Sequence, residues 1–252
     1  MPYFNTPDIN ILFIHIPKTG GSSVEEYFFA KYNIAYDNPI CLFMYLNEAD
    51  ATRKNIVINS SMQHMTYQTI IKYKDEFNIN FDNIKIISIV RNPYERIISD
   101  LFFFNKIIIH NSKEEVFNII QSYILSNEPI LDNHNLPQYA FITNDKTEII
   151  PEIHILHTES LTIDMHNLGF TDFNIHSNVN PNKISCYNYL NNDSIKLINE
   201  HYDYDFKLFN YIKAVEEVVA PMEEEVEEEV EEAVAPMEEV VALALMEEVV
   251  AP

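Results

Sequence analysis

Apolar residues follow two spacings along the chain, and the spacing predicts where strands and helices lie. Short runs rich in β-branched residues predict strands at residues 10–16, 84–90 and 153–157. Apolar residues three or four positions apart predict helices at residues 23–32, 66–77, 93–108, 113–126 and 191–209. Residues 1–10 are polar, and a long looped region precedes the third strand. Strands that alternate with helices indicate an α/β fold with a parallel sheet flanked by helices.

The last part of the chain, residues 214–252, differs in composition from the body, residues 1–213. It contains 14 glutamates and no basic residue, and it repeats Val-Ala-Pro-Met-Glu-Glu at 219–224 and 234–239. Without it, 25 acidic and 16 basic residues leave a net charge of −9, against −23 for the whole chain. We predict a solvated, largely disordered acidic tail, interpreted as a repeat expansion; a segment that docks a protein partner is the alternative.

The first strand leads into a loop that contains two of the three glycines of the chain, Gly20 and Gly21. Glycines remove the Cβ atoms that would keep a ligand from the backbone, and the following helix presents its N-terminal N–H groups to an anion. One cation and three hydroxyl donors surround the glycines: Lys18, Thr19, Ser22 and Ser23. The pattern predicts a phosphate or sulfate cradle, with a plain glycine turn as the alternative. In the ATP-binding loop GxxxxGK[ST] the lysine follows the glycines, so the order here is inverted.

A second candidate phosphate motif follows the second predicted strand, in the run from Arg91 to Ser99. Asn92 suits the N-cap of a helix, Pro93 its first position, and Glu95 a capping box. Arg91 then lies at the carboxyl end of a strand, where open α/β sheets bind ligands, and Ser99 returns to the same helix face about two turns later. A guanidinium and a hydroxyl suit a phosphate monoester. An ion pair between Arg91 and a neighbouring carboxylate is the alternative.

Both motifs resemble one family of enzymes. The run His15-Ile16-Pro17-Lys18-Thr19-Gly20-Gly21-Ser22-Ser23 resembles the 5′-phosphosulfate loop of sulfotransferases that use 3′-phosphoadenosine-5′-phosphosulfate (PAPS), particularly the membrane-type and bacterial glycan group. The run Arg91-Asn92-Pro93-Tyr94-Glu95-Arg96, with Ser99, resembles the 3′-phosphate motif of the same group. Weaker similarities extend the resemblance over about residues 9–213, at 133–138, 155–161, 178–180 and 202–211.

The resemblance implies a P-loop-type domain that binds PAPS and releases 3′,5′-adenosine diphosphate (PAP), with no required metal. It implies nucleotide contacts from Lys18, Thr19, Gly20, Gly21, Ser22, Ser23, Arg91 and Ser99. Asp100 follows Ser99 where family members often have alanine, and a carboxylate beside a phosphate is unfavourable unless it points away. Ser160 stands where an asparagine is commoner.

Transfer of a sulfonyl group to an alcohol needs charge stabilisation and a base. Lys18 is the candidate that stabilises the charge developing on the transferring group. His64, next to a helix start capped by Thr66, is the candidate general base, because histidine titrates near neutral pH and related enzymes have a histidine in a similar segment. His134 is the second candidate and is expected, with Gln138, to contact the acceptor. A backbone-bonded loop histidine is the alternative for His64.

The net charge and the composition of the chain limit the acceptors, partners and location that we expect. An acidic domain favours a glycan or small hydroxylated acceptor that is neutral, and it disfavours nucleic acid. The sequence has no leader and no apolar segment that could span a membrane, which predicts a cytoplasmic protein, and Cys41 and Cys186 are expected to be reduced. Two other functions stay open, a P-loop phosphotransferase that uses ATP and a catalytically silent nucleotide-binding or scaffold protein.

Overall fold

A four-stranded sheet organises the domain, with strand order β1-β2-β3-β4. The strands are β1 (Tyr3–Thr6), β2 (Ile9–Ile14), β3 (Lys85–Val90) and β4 (Ile153–His157). Strands β2, β3 and β4 are the three predicted from the sequence, and they pair in parallel. Because they are parallel, their carboxyl ends lie at one edge of the sheet, where α/β folds place ligands.

Strand β1 corrects the prediction of a purely parallel sheet. It pairs antiparallel with β2 at the sheet edge, so the sheet is mixed. Tyr3 and Phe4 are both buried within a segment that is otherwise rich in Pro, Asn and Asp. Two aromatic side chains are too short a run to give a strand pattern, and their burial against the core decides the conformation.

Helices flank the sheet at every predicted position, although most are shorter than predicted. The structure places α1 at Gly21–Lys31, α2 at Tyr67–Lys72, α3 at Pro93–Phe103, α4 at Lys113–Leu125, α5 at Tyr139–Ile142, α6 at Leu161–Asn167, α7 at Asn192–His201 and α8 at Asp203–Leu208. Helices α5 and α6 lie where no helix was predicted. The single helix predicted at 191–209 is divided at Tyr202, which ends α7 and precedes α8.

Both faces of the sheet are buried. Leu12 and Ile14 of β2 pack into one apolar cluster, whereas Ile11 and Phe13 pack into a second. Since successive side chains of a strand point to opposite faces, the two clusters lie on either side of the sheet. This arrangement explains why residues 11–14 of β2 are a continuous apolar run rather than an alternating one.

The computed structural model describes residues 2–35, 56–58, 60–128, 131–175 and 185–215. Most of the predicted tail, the motif at 178–180 and Cys41 lie outside these residues. Residues up to Ala214 form one compact unit. Cys186 is buried and forms no disulfide within the described part of the chain. None of the helices in the described part of the chain has the length and apolar character that a bilayer crossing requires.

Candidate active site

The glycine loop connects β2 to α1 at the carboxyl edge of the sheet. Its backbone is unusual, since both Lys18 and Gly20 have positive φ angles, 64° and 91°. Gly20 is the N-cap of α1 and has no side chain to cap the first turn. The N-terminus of an 11-residue helix therefore faces the loop, as the anion-cradle prediction requires.

The two glycines are needed for different reasons. Gly20 is needed for its left-handed backbone, because a Cβ there would make ordinary contacts at 3.7 Å. A Cβ on Gly21 would lie 2.4 Å from Nε2 of His15. Gly21 therefore also makes room for a buried imidazole, a role that sequence reasoning missed.

The hydroxyl residues of the loop have two kinds of environment. Thr19 is fully buried, and its hydroxyl donates to the carbonyl of Ile16 at 2.8 Å. The carbonyl of Thr19 accepts a hydrogen bond from the hydroxyl of Thr158 at 2.6 Å, which fixes the loop to the end of β4. Ser22 and Ser23 lie in the first turn of α1, where Ser22 is partly exposed and Ser23 is buried. Ser22 is the better placed of the two to meet a ligand.

Arg91 brings the two predicted phosphate motifs together. Its Nη1 donates to the carbonyl of Lys18 at 3.1 Å, and its Nη2 donates to Oε2 of Glu95 at 3.1 Å. The residue therefore makes the carboxylate pair that the alternative interpretation expected, and it also bridges to the glycine loop. Gln138 fixes the backbone of Arg91, with its Oε1 accepting from the N–H and its Nε2 donating to the carbonyl, both at 2.8 Å.

Gln138 is fully buried, whereas the acceptor contact predicted for it would need an accessible side chain. Besides Arg91, it is held by Asp205, whose Oδ2 accepts from its backbone N–H at 2.9 Å. Burial raises the pKa of Asp205 to about 6. These contacts assign Gln138 a role in holding the backbone after β3, and its contact with an acceptor stays a prediction.

Helix α3 begins as predicted, but its cap differs in one contact. Asn92 accepts from the N–H of Tyr94 at 3.0 Å, and Pro93 is the first helical residue. The predicted capping box is replaced, because Glu159 accepts from the N–H of Asn92 at 2.9 Å while Glu95 pairs with Arg91. Ser99 lies partly exposed further along α3, about two turns from the cap.

Three pairs of histidine and carboxylate, which we call the histidine cluster, lie beside the loop. In each pair Nδ1 faces the carboxylate: His15 with Glu25 at 2.5 Å, His64 with Asp132 at 2.7 Å, and His134 with Asp100 at 2.7 Å. The rings touch edge to face, with centroids 5.1 Å apart for His15 and His64 and 4.8 Å apart for His64 and His134. A proton on Nδ1 of each ring leaves Nε2 as the basic atom.

His64 is at the centre of this cluster and is 8% exposed. Its pKa is lowered to about 4, chiefly by burial; His15 and His134 also lower it, and Asp132 opposes the shift. His64 is therefore neutral at pH 7 and able to accept a proton. Asp132 is itself fixed by Ser61, whose N–H donates to Oδ1 and whose hydroxyl donates to Oδ2 at 2.8 Å.

Asp100, which the sequence places beside a predicted phosphate motif, is buried and has its own partners. Its carboxylate accepts from Tyr123 at 2.6 Å and pairs with His134. The neighbouring Arg96 is 2% exposed and donates to three carbonyls, those of Pro17, His134 and Leu136. Arg96 thereby ties the glycine loop to the segment that carries His134, a role that its place in the Arg91–Ser99 run did not reveal.

Lys18 points toward the histidine cluster. Its Nζ lies 4.3 Å from the ring centroid of Phe103, and that ring stacks on His134 at 5.4 Å with an interplanar angle of 9°. Burial lowers the pKa of Lys18, an effect that Asp100 opposes and Arg91 reinforces. The ammonium group is therefore partly desolvated, which strengthens its interaction with a developing negative charge.

Residues of the histidine cluster also have the chemistry of metal ligands. His64, Asp132 and His134 have ligand atoms within 4.8 Å of one another. Both Nδ1 atoms already face carboxylates, an arrangement that sets the tautomer of a base. We therefore interpret these residues as a hydrogen-bonded acid–base group.

A protein-family model spans both predicted phosphate motifs. A model described as the sulfotransferase family matches residues 1–212, which include the glycine loop, the Arg91 motif and the histidine cluster. No curated protein and no solved structure matches the chain significantly.

Proposed function

The chain belongs to the sulfotransferase family, and on that premise we propose that it transfers the sulfonyl group of PAPS to a hydroxyl of a glycan or small-molecule acceptor. The observation that carries the proposal is the contact between the two phosphate motifs, from Nη1 of Arg91 to the carbonyl of Lys18 at 3.1 Å. PAPS has a phosphosulfate at the 5′ position and a phosphate at the 3′ position. A site for it therefore needs two anion-binding groups at one sheet edge, and the segments that follow the parallel strands β2 and β3 carry the residues that we propose for them.

We assign the 5′ phosphosulfate to the glycine loop and the 3′ phosphate to Arg91 and Ser99. The N–H groups of the first turn of α1 and the side chains of the loop would hold the phosphosulfate. Arg91 would hold the 3′ phosphate through its guanidinium, with Gln138 keeping its backbone in place. Nucleotide binding would then compete with Glu95 for the same guanidinium.

In the transfer step, the acceptor oxygen attacks sulfur while His64 takes the hydroxyl proton on Nε2. The new O–S bond forms as the bond between sulfur and the phosphate oxygen breaks, and the electron pair leaves with PAP. Lys18 stabilises the charge on that oxygen. Asp132 acts as a positioning residue, because its hydrogen bond at Nδ1 fixes the tautomer and the ring orientation of His64.

A thermal-shift panel tests this function against ATP-dependent phosphotransfer and against a scaffold that binds no nucleotide. We expect PAP and PAPS to raise the melting temperature without a divalent ion, since the ligands bind the native state. Magnesium-ATP is the comparison ligand. The control variant is Lys31→Ala, which changes a lysine at the C-terminal end of α1 that pairs with Asp172. Stabilisation by magnesium-ATP with none by PAP would reject the sulfotransferase proposal.

A further inference from the structure

Phe103 presents an aromatic surface to solvent beside the proposed reacting groups. It is the last residue of α3 and is 57% exposed, although an aromatic ring of this size is usually buried. An exposed ring alone needs no explanation. This ring, however, contacts Nζ of Lys18 and lies parallel to the ring of His134.

The position of Phe103 places it where an acceptor must lie. The reacting hydroxyl has to reach Nε2 of His64 and the sulfonyl group that Lys18 stabilises. The ring of His64 is 4.8 Å from that of His134, which in turn is 5.4 Å from that of Phe103. An acceptor that places its hydroxyl between the lysine and His64 therefore has its neighbouring atoms within reach of Phe103.

The charges near this position disfavour an anionic acceptor. Arg91 is engaged by Glu95 and by the Lys18 carbonyl, and Arg96 is buried on three carbonyls. The carboxylates Asp100 and Asp132 are paired with His134 and His64. Lys18, which contacts the ring of Phe103, is the cation at this position, and the proposed function assigns it to the sulfonyl group, so a sulfated or carboxylated acceptor would have no arginine here to pair with.

We infer that Phe103 is an acceptor-binding residue and that the acceptor is an uncharged, ring-bearing alcohol whose ring face packs on Phe103. This inference rests on the proposed function. Neutral pyranosides and phenols share the required chemistry, since the C–H face of a sugar and the face of a phenol both pack on an aromatic ring. Phe103 then orients the acceptor, while His64 and Lys18 perform the transfer.

Initial rates with labelled PAPS on matched acceptor pairs test the inference. The pairs are methyl glucoside with its uronate, and phenol with 4-hydroxybenzoate. We expect the neutral member of at least one pair to have the higher kcat/KM, and the better pair identifies the ring type. Phe103→Ala should raise the acceptor KM about tenfold with a smaller change in kcat, whereas Phe103→Tyr should stay close to the wild type.

The controls separate this inference from the proposed function. Ile109→Ala removes another exposed apolar side chain, 61% exposed and beyond α3, and should leave KM unchanged. Calorimetric titration with PAP is run on every variant. Wild-type protein that does not bind PAP would reject the proposed function itself. If the wild type binds PAP, any one of three results would overturn the acceptor inference alone. These are an unchanged KM in Phe103→Ala, better turnover of the charged acceptors than of the neutral ones, and no turnover of either neutral ring.

Discussion

The proposed nucleotide side of the site, residues 18–23 and 91–99, and the histidine cluster lie at the same sheet edge but are built differently. The nucleotide side comes from two continuous stretches, each following a parallel strand, and several of its contacts are made to backbone carbonyls. The cluster joins side chains that are distant in sequence, such as His64 and Asp132, which are 68 positions apart. Neighbouring residues thus determine the nucleotide side, whereas only the folded chain brings the histidine cluster together.

This difference predicts different responses to substitution. Arg91 and Ser99 are partly exposed, so truncating them should alter ligand binding more than folding. The pairs of the cluster are largely buried, and removal of one partner leaves a buried polar group without its hydrogen bond. Substitutions in the cluster should therefore change pH behaviour and, in some cases, stability.

The two largest expected effects concern Lys18 and His64, and Lys18 lies where the two sides meet. Lys18→Ala should lower kcat by about 10²- to 10³-fold, the scale for removing one electrostatic stabiliser of a transition state, with a smaller effect on PAP affinity. Steady-state rates and calorimetry measure the two quantities. The control is Lys31→Ala, for which we expect wild-type rates. Weaker PAP binding with an unchanged kcat would mean that Lys18 contributes ground-state binding rather than catalysis.

The second effect concerns His64 and Asp132. His64→Ala should lower kcat by about 10²- to 10⁴-fold, the range for a general base. Because the pKa of His64 is lowered to about 4, protonation should remove activity only as pH falls toward 4, and this acidic limb should disappear in the variant. Asp132→Asn should lower kcat by a smaller factor than His64→Ala does.

The Asp132→Asn variant distinguishes positioning from mere packing. The carboxylate of Asp132 raises the pKa of His64, so its removal should move the acidic limb to lower pH. A structural role alone would lower the melting temperature without moving the limb. If His64→Ala keeps near-normal turnover and its acidic limb, the base assignment is wrong, and His134 becomes the residue to test.

The third effect separates the two contacts of Arg91. Arg91→Ala should weaken PAP binding by about 1.5–3 kcal/mol, the scale of a hydrogen bond to a charged group. Glu95→Gln should keep or strengthen that binding, because it removes the carboxylate that Nη2 contacts at 3.1 Å. Calorimetric titration of both variants gives the answer, and an unchanged affinity in Arg91→Ala would place the 3′ phosphate elsewhere.

The sequence predicted the local parts of this molecule and missed the long-range ones. The loop from Lys18 to Ser23 and the cap at Asn92 could be predicted because neighbouring residue types determine them. Asp132 could not be paired with His64, since nothing in the sequence relates two residues so far apart. The exposure of Phe103 likewise depends on where α3 ends.

Strand β1 and Gly21 show the same limit of prediction from sequence. The three parallel strands were predicted from their apolar runs, whereas β1 depends on the burial of Tyr3 and Phe4 against residues far along the chain. Gly21 was assigned to ligand approach, and its contact with His15 became visible only when the helix and the strand end were placed together. Sequence patterns describe one element at a time, and packing supplies the remaining constraints.

The smallest expected effect comes from the acidic tail. Ala214 donates its N–H to Tyr94 at 2.9 Å and accepts from Asn199 at 3.2 Å, so a deletion that tests the tail alone should begin at residue 216 rather than 214. Residues 216–252 have a repetitive composition with 14 glutamates and no basic residue, and repulsion between the glutamates opposes compact packing. We therefore expect the deletion to leave the melting temperature and the PAP affinity nearly unchanged. A deletion from residue 214 is the comparison, and it should be the less stable of the two because it also removes the Ala214 contacts. A large loss of stability in the shorter deletion would mean that the tail packs on the domain, contrary to the predicted disorder.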